Sequence, residues 1–162
     1  MLKYAGIVLI SGAISLYGAH LSYRLRRAGQ IRGALYELLL HIKNGIDNGA
    51  LPLDDIYAGF YNKLLDECGF LTPLKSRTPG ALANALTNSD LRLPAEMERL
   101  YASLAGQLGK SGFRKSESER LARYMALIGL EEEKLRKTEE VRQVLYRKLG
   151  LLCGLFAALI LI

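Results

Sequence analysis

Apolar positions along this chain follow two different rules. From Tyr4 to Tyr23 there is no Asp, Glu, Lys or Arg, and a helix of that length rises by roughly 30 Å, the hydrocarbon thickness of a bilayer. The stretch is therefore expected to span a membrane. Lys3 before an apolar run also fits a cleaved signal peptide, but Arg24, Arg26 and Arg27 follow the run at once, which favours a retained span. A second apolar run, Leu149 to Ile162, would rise only about 21 Å as a helix. It is expected either to cross, with Arg147 and Lys148 snorkelling and the bilayer thinned, or to insert halfway. The third reading is an apolar helix packed inside the polar domain. Gly6, Gly12 and Gly18 recur every six residues, and Ser11, Ser15 and Ala19 every four, a pattern that lets another helix approach closely.

Between these runs the apolar residues keep the three-and-four spacing of half-buried helices. Ile31, Leu35, Leu38, Leu39, Ile42 and Ile46 predict a helix over 30–48 that continues the first span, stopped by Asn48 and Gly49. Pro52, followed by Asp54 and Asp55, opens a second helix carrying Ile56, Tyr57, Phe60, Tyr61, Leu64 and Leu65 to about Cys68. Thr72-Pro73 and Thr78-Pro79 each read as a cap followed by proline, leading into a short helix near Ala81–Leu86 and a turn at Asn88, Ser89 and Asp90. From Pro94, the residues Met97, Leu100, Tyr101, Leu104 and Leu108 form a stripe that Gly109 to Gly112 interrupts. Ser116 with Glu119 suggests a capping box. The last helix bears Leu121, Met125, Ile128, Leu135, Val141 and Leu145, and runs into the second apolar segment. The expected architecture is all-α: an antiparallel helical bundle over 24–148, flanked by an N-terminal transmembrane helix at 1–23 and a C-terminal one at 149–162.

Composition supports this and adds orientation. Half the residues are hydrophobic and the net charge is +6. Arg24, Arg26, Arg27 and Arg32 flank the first segment and Arg142, Arg147 and Lys148 the second, with only Lys3 outside, so the positive-inside rule makes the middle cytoplasmic. The basic flanks also suit lipid phosphates. Cys68 and Cys153 do not form a disulfide framework.

Chemistry-bearing motifs are weak. Gly109-Lys110-Ser111 resembles the end of a phosphate loop, but Leu104 stands where the motif needs its earlier glycine. His20 and His41 have no ligands at metal spacing, and Glu131, Glu132 and Glu133 fan out to different faces of a helix. Arg114, Lys115, Arg120 and Arg123 alternate with Glu117 and Glu119 and lack an aromatic platform, which argues against nucleic acid. No catalytic residue, cofactor site or metal site is expected, and a surface for another protein remains by elimination.

Several segments together resemble the stage III sporulation protein AB family: Met1-Leu2-Lys3 before an apolar span, Gln30-Ile31-Arg32 after it, Ile46 to Leu53, Leu108-Gly109, and the tail from Lys148-Leu149-Gly150-Leu151-Leu152-Cys153-Gly154-Leu155 to Ile160-Leu161-Ile162. The resemblance implies a non-enzymatic component of the channel linking mother cell and forespore in endospore formers. It would sit in the inner membrane, with a cytoplasmic domain on the mother-cell side similar to the F-domain of type II secretion platforms. Implied partners are a secretion-type ATPase like stage III sporulation protein AA and other channel proteins; the basic flanks add membrane lipids, and a homo-oligomer is left open. Leu108 and Gly109 match the family, so they and their basic neighbours Lys110 and Arg114 are the expected partner surface; helix packing and a C-cap are the competing reading of the Leu-Gly pair. Lys43, Gly45, Gly112 and Ser116 depart from the family, where acidic or amide residues are common. A membrane-tethered regulator or chaperone of another complex is the alternative function.

Overall fold

Helices account for every regular element in the computed structural model, which describes the backbone of residues 2–49, 51–110 and 114–161, and most side chains from 12 to 156. In chain order they are α1 (Leu2–Gly49), α2 (Leu53–Ala58), α3 (Lys63–Glu67), α4 (Leu71–Leu74), α5 (Ala81–Asn88), α6 (Ala95–Gln107) and α7 (Arg114–Leu161). No strand occurs among the described residues. The protein is all-helical, in a form compatible with a helical bundle. Two compact units divide it: residues 30–133, and residues 1–29 together with 134–162.

The unit over 30–133 holds the core. Ile31, Ala34, Leu35, Leu38, Leu39, Ile42 and Ile46 are buried on one face of α1, as the spacing predicts. Met97, Tyr101 and Leu104 on α6, and Leu121, Met125 and Ile128 on α7, are buried as well. α5 packs on both α4 and α6, and α3 on α4. Within this unit α1 and α7 run antiparallel. Arg32 Nε donates to Glu132 Oε2 at 2.7 Å, and toward the other end the Ser118 hydroxyl hydrogen-bonds Asp47.

Local chemistry revises the expected boundaries. The second predicted helix is two, α2 and α3, because Gly59 caps the first and the Asn62 side chain accepts the Leu64 N–H at 3.0 Å to start another. Side chains at 60, 64 and 65 kept helical spacing across that break, so hydrophobicity concealed it. Thr72-Pro73 lies inside the single turn of α4, where a missing N–H costs nothing. α5 is entered from Gly80 at φ +74°, not capped by Thr78, whose carbonyl instead closes a turn to Ala81 N–H. α7 begins at Arg114, which puts Ser116 and Glu119 inside the helix and not in a capping box.

Residues 1–29 and 134–162 pair the two ends of the chain. A Cβ built on Gly18 would lie 2.9 Å from the Tyr146 carbonyl oxygen and 3.0 Å from Gly150 Cα, so only glycine permits this crossing. Gln143 Nε2 donates to the Ser22 carbonyl at 3.3 Å. Of the glycine series, Gly18 supplies the close approach, Gly12 has no neighbour within 4 Å among the described residues, and Gly6 lies outside the described side chains. Away from this seam, Leu16, Leu155, Phe156 and Leu159 are 60–75% exposed. The α7 stripe is thus buried only as far as Ile128; Val141 and Leu145 are exposed.

Among the described residues no helix is long and apolar enough to cross a membrane. In the expected spans at 4–23 and 149–162, half of the residues have side chains that lie outside the described ones.

Candidate functional site

α1 ends, α2 begins, α6 ends and α7 begins at one end of the 30–133 unit. Leu108 caps α6: its N–H reaches the Leu104 carbonyl at 2.9 Å, its backbone turns extended, and its side chain is half-buried. Gly109 follows at φ +80°, a conformation that favours glycine, and a Cβ there would meet Leu53 Cδ1 at 3.0 Å. The Leu-Gly pair therefore has a local structural role, a C-cap and a packing contact to the start of α2. Lys110 is exposed beside it. Residues 111–113 and the Arg114 side chain lie outside the described residues.

Polar contacts tie this end together. Asp47 accepts from Lys43 Nζ at 2.6 Å and from Ser118, and these bonds hold its carboxyl below the usual aspartate range. Arg120 Nη1 donates to the Gln107 carbonyl at 3.0 Å, Gln107 Nε2 donates to the Tyr124 hydroxyl at 3.0 Å, and that hydroxyl shares a hydrogen bond with Ser103 at 2.7 Å. Tyr57 is buried on α2; burial, then the negative charges of Asp54 and Glu117, push its phenol pKa upward. Arg120, weighed in the sequence as a contact to nucleic-acid phosphates, is thus committed to α6 and to Glu117 at 3.5 Å.

Other sequence features resolve one by one. His41 Nε2 hydrogen-bonds the Ile56 carbonyl at 3.0 Å, and its ring lies against Phe60 at 5.4 Å, so it joins α1 to α2. Gly109-Lys110-Ser111 follows a helix, where a phosphate loop follows a strand. Glu132 pairs with Arg32, whose side chain is only 3% exposed. Arg32 therefore belongs to the bundle interior and not to a headgroup-facing flank. Neither Cys68 nor Cys153 is in a disulfide. Among the described residues no group of three or more His, Cys, Asp or Glu is placed to hold a metal.

Sequence reasoning missed a groove of about 330 Å3 beside α5 and α6, lined by Ala83, Leu86, Thr87, Leu91, Leu93 and Ala102. Arg92 at its rim sits at φ +48° and is tied to Asp90 at 2.9 Å. The turn residues 88–90 were the only signal for it.

Of the basic residues expected beside a membrane, Arg24, Arg26 and Lys148 are exposed and Arg27 is half-buried. The Arg147 side chain lies outside the described residues. All belong to the unit of paired chain ends. That unit carries ten Lys and Arg against two Glu, whereas residues 30–133 carry twelve against fourteen acidic residues. The net positive charge of the protein thus resides wholly outside its bundle.

A family model described as stage III sporulation protein AB matches residues 3–162. No curated protein and no solved structure gives a match. This match covers both units, and the family is one of sporulation structural or assembly proteins, not a known enzyme family. The chain belongs to the stage III sporulation protein AB family, and its role lies in sporulation.

Proposed function

We propose that this protein is a non-enzymatic membrane platform of the channel between mother cell and forespore, and that its helical bundle docks a secretion-type ATPase like stage III sporulation protein AA. The observation that carries this reading is the division of labour between the units. Residues 30–133 bury a continuous apolar core and are close to neutral, as a water-exposed docking module should be. The paired ends expose Leu16, Leu155, Phe156 and Leu159 and hold the basic excess, as a lipid-embedded pair with cytoplasmic flanks should. On this reading the uncharged run 4–23 and the tail 149–162 lie in the inner membrane with both termini on the far side. Crossing at Gly18 and Gly150 supports that arrangement: some 14 uncharged residues of α1 and 11 of α7 extend beyond the crossing, about 21 and 16 Å of helix. Arg24, Arg26, Arg27, Arg147 and Lys148 would then meet the headgroups. The bundle would resemble the F-domain of type II secretion platforms and face the mother-cell cytoplasm, with Leu108, Gly109, Lys110 and Arg114 at its docking end.

The test is co-purification of detergent-solubilised full-length protein with the ATPase, beside the fragment 24–147 and the full-length Lys110→Glu/Arg114→Glu variant. Retention by the full-length protein and the fragment, with loss in the variant, is expected. If neither protein retains the ATPase while both are folded, the platform reading fails and a membrane-tethered assembly regulator or chaperone takes its place.

A further inference from the structure

The groove beside α5 and α6 combines apolar walls with one open charge. Ala83 and Leu86 line it from α5, Ala102 from α6, and Leu91 and Leu93 from the segment between the two helices. Its hydroxyls are already bonded within the chain: Thr87 donates to the Ala83 carbonyl at 3.0 Å and Ser89 to the Ala85 carbonyl at 2.6 Å. Two charged residues also line it, Arg92 and Glu98. Arg92 is held by Asp90 through two hydrogen bonds, at 2.9 and 3.3 Å. Glu98 is exposed, and its carboxylate has neither a hydrogen bond nor an ion pair among the described residues. The N-terminus of α6 favours acidic residues in its first turn, but Glu96 of the same turn is bonded to Arg99 at 2.9 Å, whereas Glu98 is left open beside the groove.

Its place in the 30–133 unit separates it from the expected docking end. α6 runs antiparallel to α7, with Arg120 bonded to the Gln107 carbonyl and Tyr101 in the field of Glu132. Glu98 therefore lies toward the end at which α1 enters and α7 leaves this unit, and Leu108 lies about 15 Å further along α6. Three occupants compete for the groove. An open carboxylate disfavours an anionic lipid or phosphate. A second copy offers Arg123, Leu127 and Leu130, an exposed stripe on α7. With Gln107 level with Arg120, however, Glu98 is level with about Gly129. In copies standing side by side in one membrane Arg123 is then roughly 9 Å from the height of Glu98, and the two side chains lean in opposite directions. A helix of another protein, with aliphatic residues at three-and-four spacing and Lys or Arg one turn from them, matches the walls and the charge together.

We infer that the groove between α5 and α6 docks a basic amphipathic helix from another protein, with an aliphatic anchor over Ala83 and Ala102 and a Lys or Arg on Glu98, as a second binding surface distinct from the Leu108–Arg114 end. The ranking of a second copy below this partner rests on the membrane reading above; the groove and its open carboxylate do not.

The probe is a fluorescent synthetic helix of about four turns with Leu at three-and-four spacing flanked by Lys, a scrambled isomer, and a version with Glu for Lys. Anisotropy is read against the full-length protein in neutral phosphatidylcholine nanodiscs and in detergent, with empty nanodiscs giving the lipid background. The Lys helix is expected to bind at least about tenfold more tightly than either control. Ala102→Phe fills the groove and should weaken it about tenfold or more, and Glu98→Lys should invert the preference toward the Glu version. Unchanged circular dichroism qualifies each variant; Glu98 is exposed, so its substitution still decides the matter if Ala102→Phe does not fold. Equal binding of the scrambled isomer, binding that neither variant alters, or no binding overturns the proposal. So does self-association of the wild type that Glu98→Lys and Arg123→Glu each abolish, which would make a second copy the occupant. Failure to enter nanodiscs with binding intact in detergent would sink the membrane reading and leave the groove standing as a docking site.

Discussion

The bundle and the paired chain ends are built from the same two helices, α1 and α7, yet they solve opposite problems. Over 30–133, α1 buries seven apolar residues on one face because shorter helices are present to cover it. Over 1–29 and 134–162 two helices have only each other, so the seam is half-buried and the outer faces carry exposed Leu, Val and Phe. One region thus takes its stability from water; the other needs a further surface, lipid or protein, to cover what it exposes.

The comparison breaks most sharply if identical substitutions have equal effects. Leu39→Ala, at a fully buried site, should lower bundle stability by about 3 kcal/mol, while Leu152→Ala, about half exposed, should leave it unchanged; urea melts of the full-length protein in detergent check both. Glu132→Gln leaves Arg32 without its 2.7 Å carboxylate in a buried position, a loss on the order of 2–3 kcal/mol by the same melts. Gly18→Val pushes a side chain into the Tyr146 carbonyl and Gly150 backbone and should cost about 2 kcal/mol of pairing between the chain ends. Its readout is a longer spin-label distance between positions 19 and 149, with the bundle melt unmoved. Tyr101→Phe sharpens the picture from the other side. The Tyr101 hydroxyl is buried with no hydrogen-bond partner among the described residues, so its removal should stabilise the bundle by about 1 kcal/mol or less.

Alkaline titration tests the same residue. Burial, then the charge of Glu132 and the neighbouring Tyr36, raise the Tyr101 pKa above that of an ordinary phenol. The folded state therefore holds its proton while the unfolded chain loses it, so this contribution is intact below pH 10 and declines as pH rises beyond it. Bundle stability should fall more steeply above pH 10 in the wild type than in Tyr101→Phe. Asp47 works in the opposite direction: its lowered pKa stabilises above the ordinary carboxylate range, and that contribution is lost as pH falls through the folded value.

What could be read from sequence depended on how local its cause was. The stripes of α1 and α6 were legible because a buried helical face repeats every three or four residues. The break at Gly59–Asn62 was not, because a side-chain cap interrupted the backbone without interrupting the hydrophobic spacing. Gly18 announced a close helix approach, but its partner lies near Gly150, at the other end of the chain. Arg32 looked like one more basic residue beside a span; only Glu132, 100 positions away, shows it to be an interior ion pair. For Leu108 and Gly109 the resemblance pointed to a partner surface, and the structure adds the cap and the Leu53 contact that the pair makes within its own bundle.

The pairing of the first helix with the last also sets a timetable for synthesis. Contacts from α1 to α7 span 100 residues at Arg32 and 121 at Ser22. At a ribosomal rate of roughly 5–20 residues per second, the apolar face of α1 waits on the order of 5–20 s for its partner to be translated. During that interval Leu35, Leu38, Leu39 and Ile42 lack the helix that completes their shelter, making the nascent chain, more than the finished protein, the state most exposed to misassociation.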